Sequence, residues 1–199
     1  MKLIIITSPV TMAGEVHIIS ELISSGIFRV HFRRPAWSDD EARIFLSSLS
    51  DDCLPHIVLH DHHSLAHEFP IGGLHLNHRH PTPPSDFSGS LSRSCHSFQE
   101  VIDHKDECDY LFLSPIFNSI SKKGVYSAFS EQDLTNASKA GIIDSKVFAL
   151  GGISQKKIEC LREWSFGGVA ILGDFWARTE SEEWKTYIDE WKMLLSNTR

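Results

Sequence analysis

Between residues 56 and 80 the chain reads HIVLHDHHSLAHEFPIGGLHLNHRH, with histidine at positions 56, 60, 62, 63, 67, 75, 78 and 80, eight of the twelve in the protein. Imidazole titrates near neutral pH, so it can ligate a transition metal or move a proton in catalysis. His75, His78 and His80 are spaced closely enough to offer a zinc ion three nitrogen ligands. Asp61 is a candidate magnesium ligand, although that ion usually takes further oxygens from protein or substrate. Outside the stretch, His96 follows Ser94 and Cys95 and could serve as general acid or base; a histidine that caps a helix or bonds a carbonyl would have the same sequence context. Arg33 offers a guanidinium that can grip a phosphate through two parallel hydrogen bonds. The run NSISKKG at 118–124 places Ser119, Ser121 and Lys122 in one loop suited to an anion, and a merely solvated basic loop has the same composition. Gly151 and Gly152, and later Gly173, would let backbone N–H groups approach a phosphate closely; ordinary turn chemistry is the alternative.

Elements able to bring these groups together are legible in the pattern. Short β-branched runs occur at 3–8, 29–34, 56–61, 72–77, 90–95, 110–117, 146–152 and 167–173. Most gaps hold segments of helical period, including 37–50 with Ser38 as N-cap, 97–105, 130–141, 154–164 and 182–195. The gap after Asp61 has room only for a short helix, and PTPPSDFS at 81–88 reads as loop because its prolines cannot donate ladder or helix bonds. Eight strands apolar enough for burial on both faces, joined by crossover-length connections, predict an α/β fold: a (β/α)8 TIM barrel, one domain over 1–199. An open doubly wound sheet is the alternative, but the first βα turn, SPVTMAG, lacks GxGxxG. In a barrel the strand ends converge on one mouth. Those ends carry Arg33 and Arg34, then Asp61, then Asn77, His78 and His80, then His96, and finally the glycines.

Composition sets the outer limits. A formal charge of −7 repels a phosphate backbone, so nucleic acid is not an expected partner. The four apolar residues of MKLIIITSPV are too few for a signal-peptide core or a membrane span. Four scattered cysteines without CxxC spacing fit a reducing compartment, and the expectation is a cytoplasmic protein with no membrane partner.

The order of motifs resembles the thiamin phosphate synthase and TenI family of small barrels over nearly the whole chain. HFRRP at 31–35 is similar to that family's Q-F-R-E-K, HDHHSLA at 60–66 to its N-D-x-x-x-L-A, and GGLHLNHRH at 72–80 to its D-G-V-H-L-G-Q-x-D. RSCHSFQE at 93–100 is similar to S-x-H-S-x-x-E, DYLFLSPIFNSISKKG at 109–124 to D-Y-x-x-x-G-P-x-F-x-T-x-T-K, and ALGGI with GVAILG to the closing phosphate-binding pair. Each motif alone is weak; six in order are strong.

The resemblance implies a small phosphorylated thiazole as substrate. The synthase joins hydroxymethylpyrimidine diphosphate to thiazole phosphate and releases pyrophosphate with Mg²⁺. On that pattern Arg33 and Lys122 contact pyrophosphate, Asp61 binds Mg²⁺, and Ser94 lies beside the leaving group. Ser119 and Ser121 replace two threonines near the thiazole phosphate, which Gly151, Gly152 and the backbone of Leu172 and Gly173 cradle. Departures at the diphosphate and metal positions matter most: the pattern's Gln is His31, its Lys is Pro35, its Asn is His60, and its second metal-binding Asp is His80. A nitrogen ligand is a poor substitute for a carboxylate on a hard ion. The favoured expectation is therefore the TenI-type tautomerase, with His96 as acid and base and no cofactor. The alternatives are the Mg²⁺-dependent synthase and an inert barrel that binds thiazole or thiamin phosphate. A dedicated metal cluster among the histidines is the minor reading, and homo-oligomerisation is left open.

Overall fold

The computed structural model describes residues 1–118 and 127–196. Ser119, Ser121 and Lys122 lie outside the described residues. The strands are β1 (Lys2–Ile6), β2 (Arg29–Phe32), β3 (Ile57–Leu59), β4 (Gly73–Leu76), β5 (Ser90–Cys95), β6 (Tyr110–Leu113), β7 (Val147–Leu150) and β8 (Gly168–Ile171). They are all parallel and close in sequence order, with β1 pairing both β2 and β8. The barrel predicted from the eight apolar runs is the observed fold; β5 matches its run, and most of the other strands stop one to four residues before the run ends, where the chain turns into the mouth.

The helices are α1 (Glu15–Ser24), α2 (Asp39–Ser47), α3 (Phe98–His104), α4 (Glu131–Lys139), α5 (Ile158–Glu163), α6 (Gly173–Trp176) and α7 (Glu183–Ser196). Local chemistry sets where several begin. Ser38 and Ser130 each accept from the backbone N–H three residues on, while Glu41 and Asp133 reach back, forming two capping boxes. Ser97 caps α3 in the same way, accepting from the Glu100 N–H. The gap after Asp61 holds only the 3₁₀ turn His63–His67.

Strand alternation divides the core in two. Leu3 and Ile5 join the large apolar layer between barrel and helices, whereas Ile4 and Ile6 point inward with Tyr110, Phe112, Phe148 and Ala170. That inner apolar cluster comes from β1, β6, β7 and β8. The corresponding interior on β2 to β5 is polar, with His31, His60, His75 and Ser92 all buried. Polar groups inside a barrel demand partners, because an unpaired one costs about 1–3 kcal/mol. How those partners are found defines the candidate site.

Candidate active site

His60 and His75 are neighbours by register. Leu59 pairs with Leu74, so the next residues along β3 and β4 lie side by side, and the two imidazoles stack at 4.0 Å with 20° between planes. His31, below them on β2, places Nδ1 at 2.8 Å from His60 Nε2 and Nε2 at 2.7 Å from the Tyr110 hydroxyl. His75 is held from both sides, Nδ1 at 2.8 Å from Ser92 Oγ and Nε2 at 2.8 Å from Ser94 Oγ. Phe112 closes the group, 4.8 Å from the His31 and His75 ring centres.

Burial holds all three rings in the neutral form. Loss of solvation, then the neighbouring His75, puts His31 and His60 well below the ordinary histidine range. Burial likewise pushes His75 down to about 3. A ligating nitrogen of each of the three lies within 4.8 Å of the others. This trio replaces the expected His75, His78 and His80 cluster, because strand parity turns His31, His60 and His75 inward while His78 and His80 follow the end of β4. Its nitrogens are already engaged by one another, by Tyr110 and by serines. The stacked rings of His60 and His75 also cannot both aim lone pairs at one tetrahedral ion without rotating. The arrangement is a hydrogen-bonded network in this state.

Above the network lies a cleft of about 400 Å³ lined by Arg33, His60, Asn77, Arg79, Arg93, Ser94 and His96, together with His78, Glu100 and His104. Three guanidiniums thus face one hollow, with Glu100 the one carboxylate on its wall. Arg33, Ser94 and His96 come together there as the strand ends predicted. Arg33's guanidinium has no hydrogen-bond or ion-pair partner among the described residues. Arg34, expected beside it, is fully buried and ion-paired with Glu15 of α1, so it braces the helix and leaves the mouth.

His96 is exposed and set by contacts to Glu100 and Ser114, whose Oγ also lies 3.4 Å from its Nδ1. Its backbone N–H donates to Glu100 Oε2 at 2.7 Å, which ties it to the first turn of α3. Its Nδ1 lies 3.0 Å from the Ser114 carbonyl oxygen, which can only accept. The neutral ring therefore carries its proton on Nδ1 and presents an unprotonated Nε2. That is the form a general base needs.

Asp61 is 4% exposed and accepts from Arg79, with Nη2 at 2.6 Å and Nε at 3.2 Å from the same oxygen, Oδ1. His80 Nε2 is 3.8 Å from Oδ1, and the His80 ring lies against His63, tilted by 37° with centres 4.6 Å apart. Burial and His80 push His63 down to about 4. Asp61 Oδ2 is buried with no partner among the described residues. Arg79 was not singled out in the sequence; the one signal for it was a cation following a strand end between two histidines. Arg93 was missed because it sits on the outward parity of β5 and reaches the cleft only from its flank.

At the far side of the mouth, Gly151 and Gly152 follow β7 with φ of +93° and +65°. A Cβ on Gly152 would lie 2.4 Å from the Asn118 carbonyl oxygen, so only glycine fits there. Leu172 precedes α6 and Gly173 opens it, directly after the neighbouring strand β8. Two adjacent strand ends thus expose close-approaching backbone, the geometry expected for a phosphate cradle in this fold.

A family model described as thiamine monophosphate synthase matches residues 3–175. The chain belongs to that family. Within the family it is similar to the solved thiamine phosphate pyrophosphorylase of Bacteroides thetaiotaomicron, at 36% identity and a TM-score of 0.84, covering 98% of this chain and 95% of that one. The thiamine-phosphate synthase of Parasynechococcus marenigrum is 29% identical over 187 residues, 86% of this chain and 50% of that protein. That of Flavobacterium johnsoniae is 25% identical, covering 95% of this chain and 93% of its own. The chain spans 50%, 60% and 60% of the length of three curated relatives. Among the described residues no helix is long and apolar enough to cross a membrane.

The thiamine monophosphate synthase family implies Mg²⁺, and the donor set at Asp61 does not fit it. Magnesium needs near-octahedral oxygen ligation, usually with several negative charges. Here Asp61 is paired with Arg79 and has an imidazole, His80, as its other near neighbour, while Asp39, the second carboxylate of the hollow, is engaged by His62 and Ser64. A single free oxygen, Oδ2, beside a guanidinium is a poor seat for a dication.

Proposed function

We propose that this chain is a thiamin phosphate synthase, an enzyme of thiamin biosynthesis that condenses hydroxymethylpyrimidine diphosphate with a thiazole phosphate. The observation that supports it best is the convergence of Arg33, Arg79 and Arg93 on one cleft with Asn77 and Ser94, a cationic hollow matched to a diphosphate. The names of the relatives point the same way. The tautomerase favoured from the departures at His60 and His80 gains no such support from them.

In the reaction the pyrimidine's methylene carbon exchanges its bond to the diphosphate oxygen for one to the thiazole nitrogen. The electron pair of the broken C–O bond leaves with pyrophosphate. Arg33 and Arg79 would stabilise the charge that grows on the leaving group, and Ser94, oriented by His75, would donate to it. Gly151, Gly152 and the Leu172–Gly173 backbone would hold the thiazole phosphate across the mouth, with Ser119, Ser121 and Lys122 assigned to the same anions.

A second reading, thiazole tautomerase, is favoured by one observation: His96 lines the cleft with Nδ1 turned to the Ser114 carbonyl, which leaves Nε2 without a partner among the described residues. One experiment separates the two. Purified protein given both substrates, with and without Mg²⁺, should release thiamin phosphate and pyrophosphate in equal amounts, and Arg33→Met should lower kcat/KM by about 100-fold or more. Absence of pyrophosphate, with isomerisation of the thiazole carboxylate phosphate that is lost in His96→Ala, would replace the synthase by the tautomerase.

A further inference from the structure

We propose that Arg79 takes the place of the divalent cation, so that this barrel binds the diphosphate group through guanidinium groups and without Mg²⁺. The inference rests on the reading that a diphosphate occupies the cleft. It starts from the disagreement at Asp61, where a cation is already in place and is a side chain.

Arg79 is held at both ends. Asn77 Oδ1 accepts from the Arg79 N–H at 2.9 Å and from the His80 N–H at 3.2 Å, while Asn77 Nδ2 donates to the His60 carbonyl at 2.9 Å. Asn77 and His80 also exchange both backbone hydrogen bonds at 3.1 Å, closing a tight turn that fixes where the Arg79 side chain departs. At the other end the guanidinium is anchored on Asp61 Oδ1. Of its five N–H donors, Nε and one on Nη2 are spent there, and three are left.

The position of Arg79 gives those donors a use. It lines both the main cleft and the adjoining hollow of Asp39, Asp61, His62, His63 and His80, in which Asp39 is already bonded to His62 and Ser64. It therefore stands between the carboxylate and any anion in the cleft, as a bridging metal would. Arg33, with its guanidinium unpartnered among the described residues, faces the same space. Two forks can each donate two parallel bonds to a diphosphate, whereas a dication approaching Asp61 meets a fixed positive charge. Asp61 thereby becomes a positioning residue for Arg79.

Inorganic pyrophosphate is the probe, titrated calorimetrically into the full chain in EDTA and again with excess Mg²⁺. Binding in EDTA is expected, with Mg²⁺ leaving the affinity unchanged or lowering it by competing for the probe. Arg79→Met should weaken binding by about 10- to 100-fold and Arg79→Lys by less, with melting curves confirming that both variants fold. A tenfold or greater gain with Mg²⁺ that Asp61→Asn removes would overturn the proposal, as would absence of pyrophosphate binding in EDTA. Metal-free binding of pyrophosphate without formation of thiamin phosphate would defeat the synthase reading and leave the Arg79 assignment standing.

Discussion

His31, His60 and His75 are neutral because they are buried, and that gives the barrel an acid-sensitive interior. An unfolded histidine gains its proton below about 6.5, whereas these rings resist it until far lower pH, to about 3 for His75. The unfolded chain then binds more protons, so their contribution is fully present above pH 6.5 and is lost as pH falls toward the folded values. Each such histidine steepens the loss by about 1.4 kcal/mol per pH unit within that window. Restoring the amides of the family pattern, His31→Gln with His60→Asn, should flatten the dependence between pH 6.5 and 4.5. Urea midpoints measured across that range test it, and an unchanged slope would mean the two rings do not titrate as their burial implies.

Among the elements, the turn after β7 makes the clearest demand on sequence. Gly152 has φ of +65° and a Cβ there would strike the Asn118 carbonyl, while Gly141, with φ of +71°, has open space around its Cβ position. Gly152→Ala should therefore cost about 1–3 kcal/mol and also weaken binding of inorganic phosphate, because the loop must shift. Gly141→Ala should lower stability alone. Equal phosphate affinities for the two variants, followed by calorimetry, would detach this turn from the anion site.

At the scale of the whole molecule, closure of β1 against β8 makes the interior one cooperative unit, and Phe112, with Tyr110 beside it, joins its two halves. It lies in the apolar cluster with Ile4, Tyr110 and Phe148, and it packs on His31 and His75. Phe112→Ala should lower stability by about 3–5 kcal/mol, a large share of what a domain possesses. The test is a fall in urea midpoint together with weaker pyrophosphate binding, since the histidine layer beneath the cleft loses its packing. Retention of both would show that the polar half is held by its hydrogen bonds alone.

Run composition and gap length identified the eight strands, because most runs are rich enough in apolar residues for burial and the gaps leave room for crossovers, although β5, SLSRSC, turns serines inward. The same pattern identified Ser38 as a helix start and brought Arg33, Ser94 and His96 to one mouth, since strand ends in a barrel must converge. Arg34 could not be separated from Arg33 in the sequence, because its burial against Glu15 depends on where α1 packs. The histidine-rich stretch was likewise ambiguous. Strand parity and register, available only once the barrel closes, drew His60 and His75 inward to meet His31 from 29 residues before His60, and turned Arg79 back onto Asp61. The sequence determined which chain segments end at the mouth, because local period sets the strands; the tertiary structure alone decided which of their side chains face it and which touch, because burial and contacts between strands are set by closure.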